Sequence, residues 1–361
     1  MKKLLLFGIL IIIVAPSFAQ TCAQTLRLAR ATYEQGRLHE IEKQLENCLK
    51  GPEQGGFSKQ EKQLRVQALQ ILCLSYIYLE EPQKADEAML DLKRTDPYFR
   101  PNPEVDPAEF VALYNSFRED PVYRYGFKVG GNFSRPNVKE LIAAVELDDD
   151  SEYKPLFAIQ LGFAADVPIM LFNQKRWTLH GELIYLQNKF EIDQKESRGP
   201  SPYEEGQELL NEFEGIETQN RIALPISIEY TFMQKRFFPY VAIGVSTDYL
   251  LSSTINGERK RSLQAGVPER NEEFTPQREK INAGAAIAAG IKLPSGPGLL
   301  VFEARYVHGF TNVSSPQTAL ANQSFALDYG YVDPVFNISS LTLGVSFVAD
   351  KHSPRKLNRR R

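Results

Sequence analysis

Charged residues recur in the second half of the chain, on the polar side of segments in which apolar and polar residues alternate. They are Lys128, Asp166, Glu182, Arg221, Glu229, Asp248, Lys292, Glu303 and Arg305. Side chains two residues apart in a strand share a face, so these nine are predicted to lie on the inward face of a sheet. Isolated buried charges are costly, so four bases and five acids, Arg221 and Glu229 among them, are expected to pair. The pattern predicts a structural network of ion pairs and leaves a narrow ion path as the alternative.

No pattern typical of a catalytic or metal site accompanies these charges. The four histidines are His39, His180, His308 and His352, and none has a second His or a Cys at metal-ligand spacing. The run His308-Gly309-Phe310 lacks the His-x-Ser spacing of barrel deacylases, and no Gly-x-Ser-x-Gly elbow occurs. We therefore expect no catalytic residue, no metal and no cofactor.

The N-terminus has the pattern of a secretory signal sequence. Lys2 and Lys3 precede the apolar stretch 4–14, and Ser17-Phe18-Ala19 places small residues before Gln20 at the positions that signal peptidases require. Residues 1–19 are therefore predicted to be removed from an exported protein, whose cysteines then meet an oxidising compartment.

Cys22 and Cys48 are expected to form a disulfide. One lies near the start of the first predicted helix and the other near the end of the second, and these ends are adjacent in an antiparallel hairpin. Cys73 lies in an apolar helix centre and is predicted to be a buried free thiol.

Residues 20–96 show the 3.6-residue apolar period of helices. Two helices broken at Gly36, a longer one over 59–79 and a fourth over 83–94 are predicted. The patterns Ala29-x3-Tyr33-x2-Gly36-Arg37, Ala68-x6-Ser75-Tyr76, Ala85-x2-Ala88 and Asp96-Pro97 resemble degenerate tetratricopeptide repeats. The resemblance implies a periplasmic module that binds peptides or helices; a plain four-helix cap is the alternative.

Residues 97–121 form a proline-rich linker with a short helix predicted over 107–118. Phe110, Tyr114 and Phe117 fall on one side of that helix. The segment is expected to fix the helical domain against the next one, because a loose tether would not need those aromatic residues.

From residue 122 to 349 the period changes to two, in eight segments. They begin near Tyr125, Phe157, Trp177, Arg221, Val241, Ile281, Leu299 and Ser340. Short links alternate strictly with long polar links, which predicts an eight-stranded antiparallel transmembrane β-barrel; a soluble sandwich is the alternative. The fold class is therefore α+β as separate domains, with a basic tail over 350–361.

The barrel segments also resemble a known family. Leu224-Pro225-Ile226-x-Ile228-x-Tyr230-x-Phe232, followed by Pro239-Tyr240-x3-Gly244, resembles the central hairpin of the PorT-like outer-membrane β-barrel family, and Phe127-Lys128-x-Gly130-x-Asn132 is similar to its opening strand. The resemblance covers about 122–349 and implies an eight-stranded barrel in the bacterial outer membrane. The founding member is tied to protein secretion across that membrane, but most members have no assigned activity.

The charges of the chain and the order of its strands indicate which molecules the protein contacts. A net charge of −3 excludes a bulk electrostatic footprint for nucleic acid. The long links carry acidic runs over 146–152 and 203–217 and the basic Arg259-Lys260-Arg261. Outer-membrane lipid and lipopolysaccharide with its bridging cations are the expected contacts, and solvated loops without a ligand are the alternative. An even strand count places both chain ends in the periplasm.

Together these patterns predict a non-enzymatic outer-membrane protein. Its barrel anchors a periplasmic helical domain that binds an envelope protein, with an assembly, secretion-related or envelope-structural role. A small porin or transporter is the first alternative, and a lipid-modifying outer-membrane enzyme is the second.

Overall fold

The computed structural model describes residues 17–50, 58–141, 147–148, 151–171, 174–200, 208–233, 236–261, 267–319 and 323–357. The chain divides into two compact units: a helical unit, residues 1–121 with 352–361, and a barrel unit, residues 122–351. The predicted signal sequence lies outside the described residues except for 17–19, which begin the first helix. No helix within the described ranges is long and apolar enough to cross a membrane.

The helical unit contains α1 (Ser17–Glu34), α2 (Ile41–Leu49), α3 (Lys59–Tyr78), α4 (Pro82–Thr95) and α5 (Ala108–Asn115). The predicted break after α1 is confirmed, because Gly36 adopts a φ of 75°, which favours glycine after a helix end. Ser58 begins α3 with a capping box, accepting from the Glu61 N–H while the Glu61 carboxylate accepts from the Ser58 N–H. Pro82 begins α4, where a missing N–H costs nothing.

The core of the helical unit contains the small residues that the sequence singled out. Ala29, Ala68, Ala85 and Ala88 are all buried in it. A disulfide joins Cys22 to Cys48, as predicted, and ties the start of α1 to the end of α2. Cys73 is a buried free thiol, as predicted, and burial raises its pKa to about 12, so the thiol stays protonated at neutral pH.

The barrel unit contains the following elements in chain order: β1 (Tyr123–Leu141), β2 (Glu152–Pro155), β3 (Phe157–Leu171), β4 (Gln174–Pro200), β5 (Glu208–Thr231), β6 (Phe238–Arg261), β7 (Val267–Glu273), β8 (Ile281–Ser295), β9 (Gly298–Gly309), α6 (Pro316–Ala319), α7 (Gln323–Tyr329) and β10 (Pro334–Lys351). Eight strands pair in the order β4-β3-β1-β10-β9-β8-β6-β5, and β5 pairs with β4 to close the ring. All of these pairs are antiparallel, and one sheet closes on itself instead of two sheets packing face to face, so the soluble-sandwich alternative is wrong. β2 and β7 extend the sheet at its edge.

The two ends of the barrel differ in their connections. At the turn end, β3 and β4, β5 and β6, and β8 and β9 are joined closely, β1 begins and β10 ends. The seam between β1 and β10 pairs Tyr123 with Lys351. The opposite end is called the loop end below.

The exterior of the barrel carries a belt of exposed apolar side chains. Phe127, Ile243 and Ile281 are each more than 65% exposed, whereas their strand neighbours Lys128, Ala242 and Asn282 are buried. The apolar face therefore points away from the lumen, as it must in a barrel surrounded by lipid.

The predicted long polar links are wrong in part. β4 contains 27 residues and β5 and β6 contain 24 each, because these strands continue past the apolar belt. Most of the predicted acidic loop 203–217 is therefore strand, and Glu217 in it is buried. Arg259-Lys260-Arg261 ends β6, and Lys260 pairs with Glu214 at 2.5 Å and with Glu258 at 3.4 Å. Residues 146 and 149–150 of the other acidic run lie outside the described residues.

Candidate functional site in the barrel lumen

The turn end of the lumen is filled by charged side chains, which we call the inner charge cluster. Its members come from seven strands and are Lys128, Asp166, His180, Glu182, Glu229, Tyr240, Lys292, Glu303 and Arg305. Seven of the nine residues that the sequence predicts to face inward are in this cluster. The free space among its members is only about 10 Å³, so it holds at most a single water.

Glu182 is the centre of the cluster. Its carboxylate accepts from Lys128 at 2.8 Å, from His180 Nε2 at 2.7 Å and from both Arg305 terminal nitrogens at 2.6 and 3.0 Å. Lys128 also donates to Glu303 at 2.7 Å. Three cationic side chains therefore share one buried carboxylate, and each also contacts a second acid: Lys128 and Arg305 contact Glu303, and His180 contacts Asp166.

Asp166 and Glu229 form the other side of the cluster. Lys292 donates to Glu229 and lies 3.4 Å from Asp166, and His180 Nδ1 lies 2.5 Å from Asp166. Tyr240 completes the ring of contacts by donating to Glu303 at 2.8 Å.

His180 bridges two carboxylates, one at each ring nitrogen. An ionised carboxylate only accepts, so a doubly protonated imidazole satisfies both contacts. In that state the cluster holds four positive groups and four negative groups. Buried ion pairs are tolerated when every charge is matched in this way.

Arg221 and Asp248 lie apart from the cluster. Arg221 Nη1 donates to Asp248 at 2.5 Å and Nε donates to Gln219 at 3.0 Å. Arg221 and Glu229 therefore do not pair with each other, because Asp248 neutralises Arg221 and Lys292 neutralises Glu229.

Two sets of three groups in the cluster have donor atoms close enough to hold a metal ion: Asp166, His180 and Glu229, and His180, Glu182 and Glu303. The same carboxylates already accept from lysine and arginine, however. The arrangement thus satisfies its charges from within the chain.

A small chamber lies beyond the cluster toward the loop end. Its volume is about 60 Å³, and Gln160, Ser246, Asn282, Arg305 and Thr342 are among its lining residues. This is space for a few water molecules.

A second polar cluster, absent from the sequence prediction, lies beyond the apolar belt. Arg278 donates to both oxygens of Glu217 at 2.8 and 2.9 Å and to Asp333 at 2.6 Å, and Tyr331 donates to Asp333 at 2.9 Å. Burial opposes the charge of Arg278, but Asp333 and Glu217 outweigh it and hold its pKa well above its ordinary value. Burial also raises the pKa of Asp333, against the effect of Arg278.

Aromatic side chains close the loop end around Arg278. This aromatic cap consists of Phe190, Phe213, Phe274, Phe325, Tyr329, Tyr331 and Phe336. Phe325 and Tyr329 come from α7 and stack at 4.6 Å, and Phe213 meets Tyr331 at 4.9 Å. Apolar contact and offset ring packing make the cap a second small core.

The residues that the sequence missed fall into two groups. His180 and Tyr240 have the same parity as Glu182 and Ala242, so alternation alone could have placed them on the inward face. Arg278 and Asp333 lie outside the strands, where no periodic pattern applies.

The closed antiparallel ring, its apolar exterior and its ion-paired lumen define an integral β-barrel membrane protein. The model of a family described as outer membrane protein beta-barrel domain matches residues 119–315. The chain therefore belongs to this family of bacterial outer-membrane proteins.

Similar solved structures are small outer-membrane proteins, at low identity. Neisserial surface protein A is 12% identical, with 63% of this chain and 96% of that chain covered and a TM-score of 0.29. OprG from Pseudomonas aeruginosa is 12% identical over 65% and 98%, with a TM-score of 0.35. Ail from Yersinia pestis is 13% identical over 63% and 99%, with a TM-score of 0.24. No curated protein matches the chain.

Proposed function

We propose that the barrel is a sealed anchor that holds the helical unit on the periplasmic side of the outer membrane. There the helical unit binds a protein partner in envelope assembly or secretion. The observation that carries this proposal is the filled lumen: among the described residues, the inner charge cluster and the aromatic cap leave a chamber of about 60 Å³ between them. An eight-stranded barrel has an interior that side chains just fill, so transport is the weaker hypothesis.

The position of both chain ends supports the proposed periplasmic location of the helical unit. β1 begins and β10 ends at the turn end, where the links between strands are short. In outer-membrane barrels the short turns face the periplasm, so the helical unit and the tail belong on that side. We also propose that the barrel belongs to the PorT-like family and that the protein is not an enzyme.

The helical unit offers a surface that suits a peptide or helix. α3 and the segment 95–99 border a groove of about 700 Å³, with Lys59, Val66, Gln70 and Phe99 among its lining residues. The buried alanines of α3 and α4 allow the close approach typical of tetratricopeptide-like helix pairs. We therefore propose this groove as the partner-binding surface.

The test is a chain in which residues 20–115 are deleted and the signal sequence, barrel and tail are kept. We expect it to insert in the outer membrane and to fail to restore the phenotype of a strain lacking the gene. The full chain at equal expression is the control. Restoration by the deleted chain would show that the barrel or its loops carry the function.

A further inference from the structure

The tail that follows the barrel folds with the helical unit. The Arg118 N–H donates to the Arg355 carbonyl at 2.9 Å, and the Leu357 N–H donates to the Ser116 carbonyl at 2.8 Å. These bonds run in the antiparallel sense and flank a single β-bridge between Phe117 and Lys356, so residues 355–357 lie extended against residues 116–118.

Side chains of the tail also contact the helical unit. Lys356 forms a β-bridge with Phe117 and an ion pair with Asp86 of α4. The ring of His352 meets Tyr98 edge-on at 5.2 Å. Backbone and side-chain contacts therefore hold His352 and residues 355–357 against the rest of the helical unit.

The tail also helps to shield a buried amine. Lys93 of α4 is 4% exposed, and its ammonium lies 3.5 Å from the centre of the Tyr114 ring. Its Nζ has no hydrogen-bond partner among the described residues. The small space beside it is bounded by Arg118, His352 and Pro354, so tail residues contribute to its cover.

The barrel seam controls how easily the tail reaches this site. Before β1 and β10 pair, joining Arg118 to Arg355 closes a loop of more than 200 residues. Once Tyr123 pairs with Lys351, only seven residues, 119–122 and 352–354, separate the two segments. Loop-closure entropy then favours docking by a factor on the order of 100.

We propose that residues 116–118 and Asp86 form a binding site for an extended basic peptide, that the chain's own residues 352–357 occupy it, and that closure of the barrel seam delivers them. The helical unit is thus complete only in a molecule whose barrel has closed. This inference goes beyond the proposed function, because it rests on contacts within the helical unit and not on any partner.

The occupancy of the site is tested by amide hydrogen exchange on the full chain in detergent micelles. Lys356→Glu is expected to reduce protection of the Arg118 and Leu357 amides about tenfold, and the double change Asp86→Lys with Lys356→Glu is expected to restore it. Arg355→Glu is the matched control, because its side chain makes no ion pair within the described residues. Unchanged protection in Lys356→Glu, or equal losses in both single variants, would overturn the proposed site.

Delivery by the seam is tested by the same measurement in increasing denaturant. Protection of the Arg118 and Leu357 amides is expected to disappear at or before the concentration at which the seam amides of Phe127 and Phe347 exchange. Protection that survives after the seam has exchanged would show that the tail docks without barrel closure. Neither outcome depends on whether the helical unit binds a partner.

Discussion

At the scale of single residues, Glu182 is the group whose loss should destabilise the barrel most. Glu182→Leu leaves Lys128, His180 and Arg305 without their shared acceptor. Breaking a buried ion pair from one side costs about 3–5 kcal/mol, and each of the three cations keeps a second acid, so the free energy of unfolding should fall by about that amount. The measurement is denaturant unfolding of the refolded protein, followed by the mobility difference between folded and unfolded barrel in gels.

The matched control for this prediction is Asp248→Leu. Asp248 also accepts from an arginine, but its side chain is 22% exposed and it neutralises one cation, whereas the buried Glu182 contacts three. The control should therefore lose less stability. Equal losses in the two variants would mean that Glu182 is not the centre of the network.

The buried Lys93 predicts that the stability of the helical unit depends on pH. Burial lowers its pKa from 10.5 to about 8, while Glu119 favours the charged form and Arg100 disfavours it; Tyr114 and His352 are its other neighbours. Between pH 8 and 10.5 the unfolded chain binds more protons at this site than the folded chain. The free energy of unfolding therefore rises with pH across that window.

The measurement compares the full chain with its Lys93→Met variant. The difference in unfolding free energy, wild type minus variant, should increase from pH 7.5 to 9.5 in urea titrations followed by the helical circular dichroism signal. The comparison removes titration at other sites, including tyrosines whose raised pKa acts in the opposite direction near pH 10. A constant difference would contradict the buried, charged lysine.

At the scale of elements, the disulfide between α1 and α2 should contribute strongly to the stability of this helix pair. Its residues are 26 apart in sequence, so the chain-entropy model gives about 3 kcal/mol of stabilisation. Reduction, or Cys22→Ala with Cys48→Ala, should lower the thermal midpoint of the helical signal and abolish its response to reductant, whereas Cys73→Ala should keep that response. A midpoint that is insensitive to reductant would show that α1 and α2 are held by packing alone.

The strands could be predicted from the sequence only where their apolar residues stay on the outward face of the sheet. Within the belt, apolar residues such as Ile222 and Leu341 point outward, whereas Phe213 and Phe336, further along the same strands, point into the aromatic cap. The apolar residues therefore change from the outward to the inward face where a strand leaves the lipid. Beyond that point only the inward face is shielded from water. An interpretation that keeps the apolar residues on one face ends the strands at the belt and assigns the remaining residues to loops.

At the scale of the whole molecule, the sequence predicts the barrel, its strand count and most of its charges, but not how charges pair across the lumen. Lys128 and Glu303 are 175 residues apart, and only closure of the ring brings them together. The contact of Lys356 with Asp86 depends on the same closure, since 270 residues separate them. Alternation shows which face a residue occupies and not which residue lies opposite.

The two seals in the lumen predict that the barrel does not conduct ions. The inner charge cluster and the aromatic cap lie in series, so opening one seal leaves the other in place. In planar bilayers the purified chain should show no steady single-channel openings. The double variant Phe325→Ser with Tyr331→Ser, which weakens the cap, should remain silent, because the space within the inner charge cluster stays near 10 Å³. Steady openings in the wild type would favour the porin hypothesis, and openings confined to the variant would mean that the inner charge cluster does not seal the turn end.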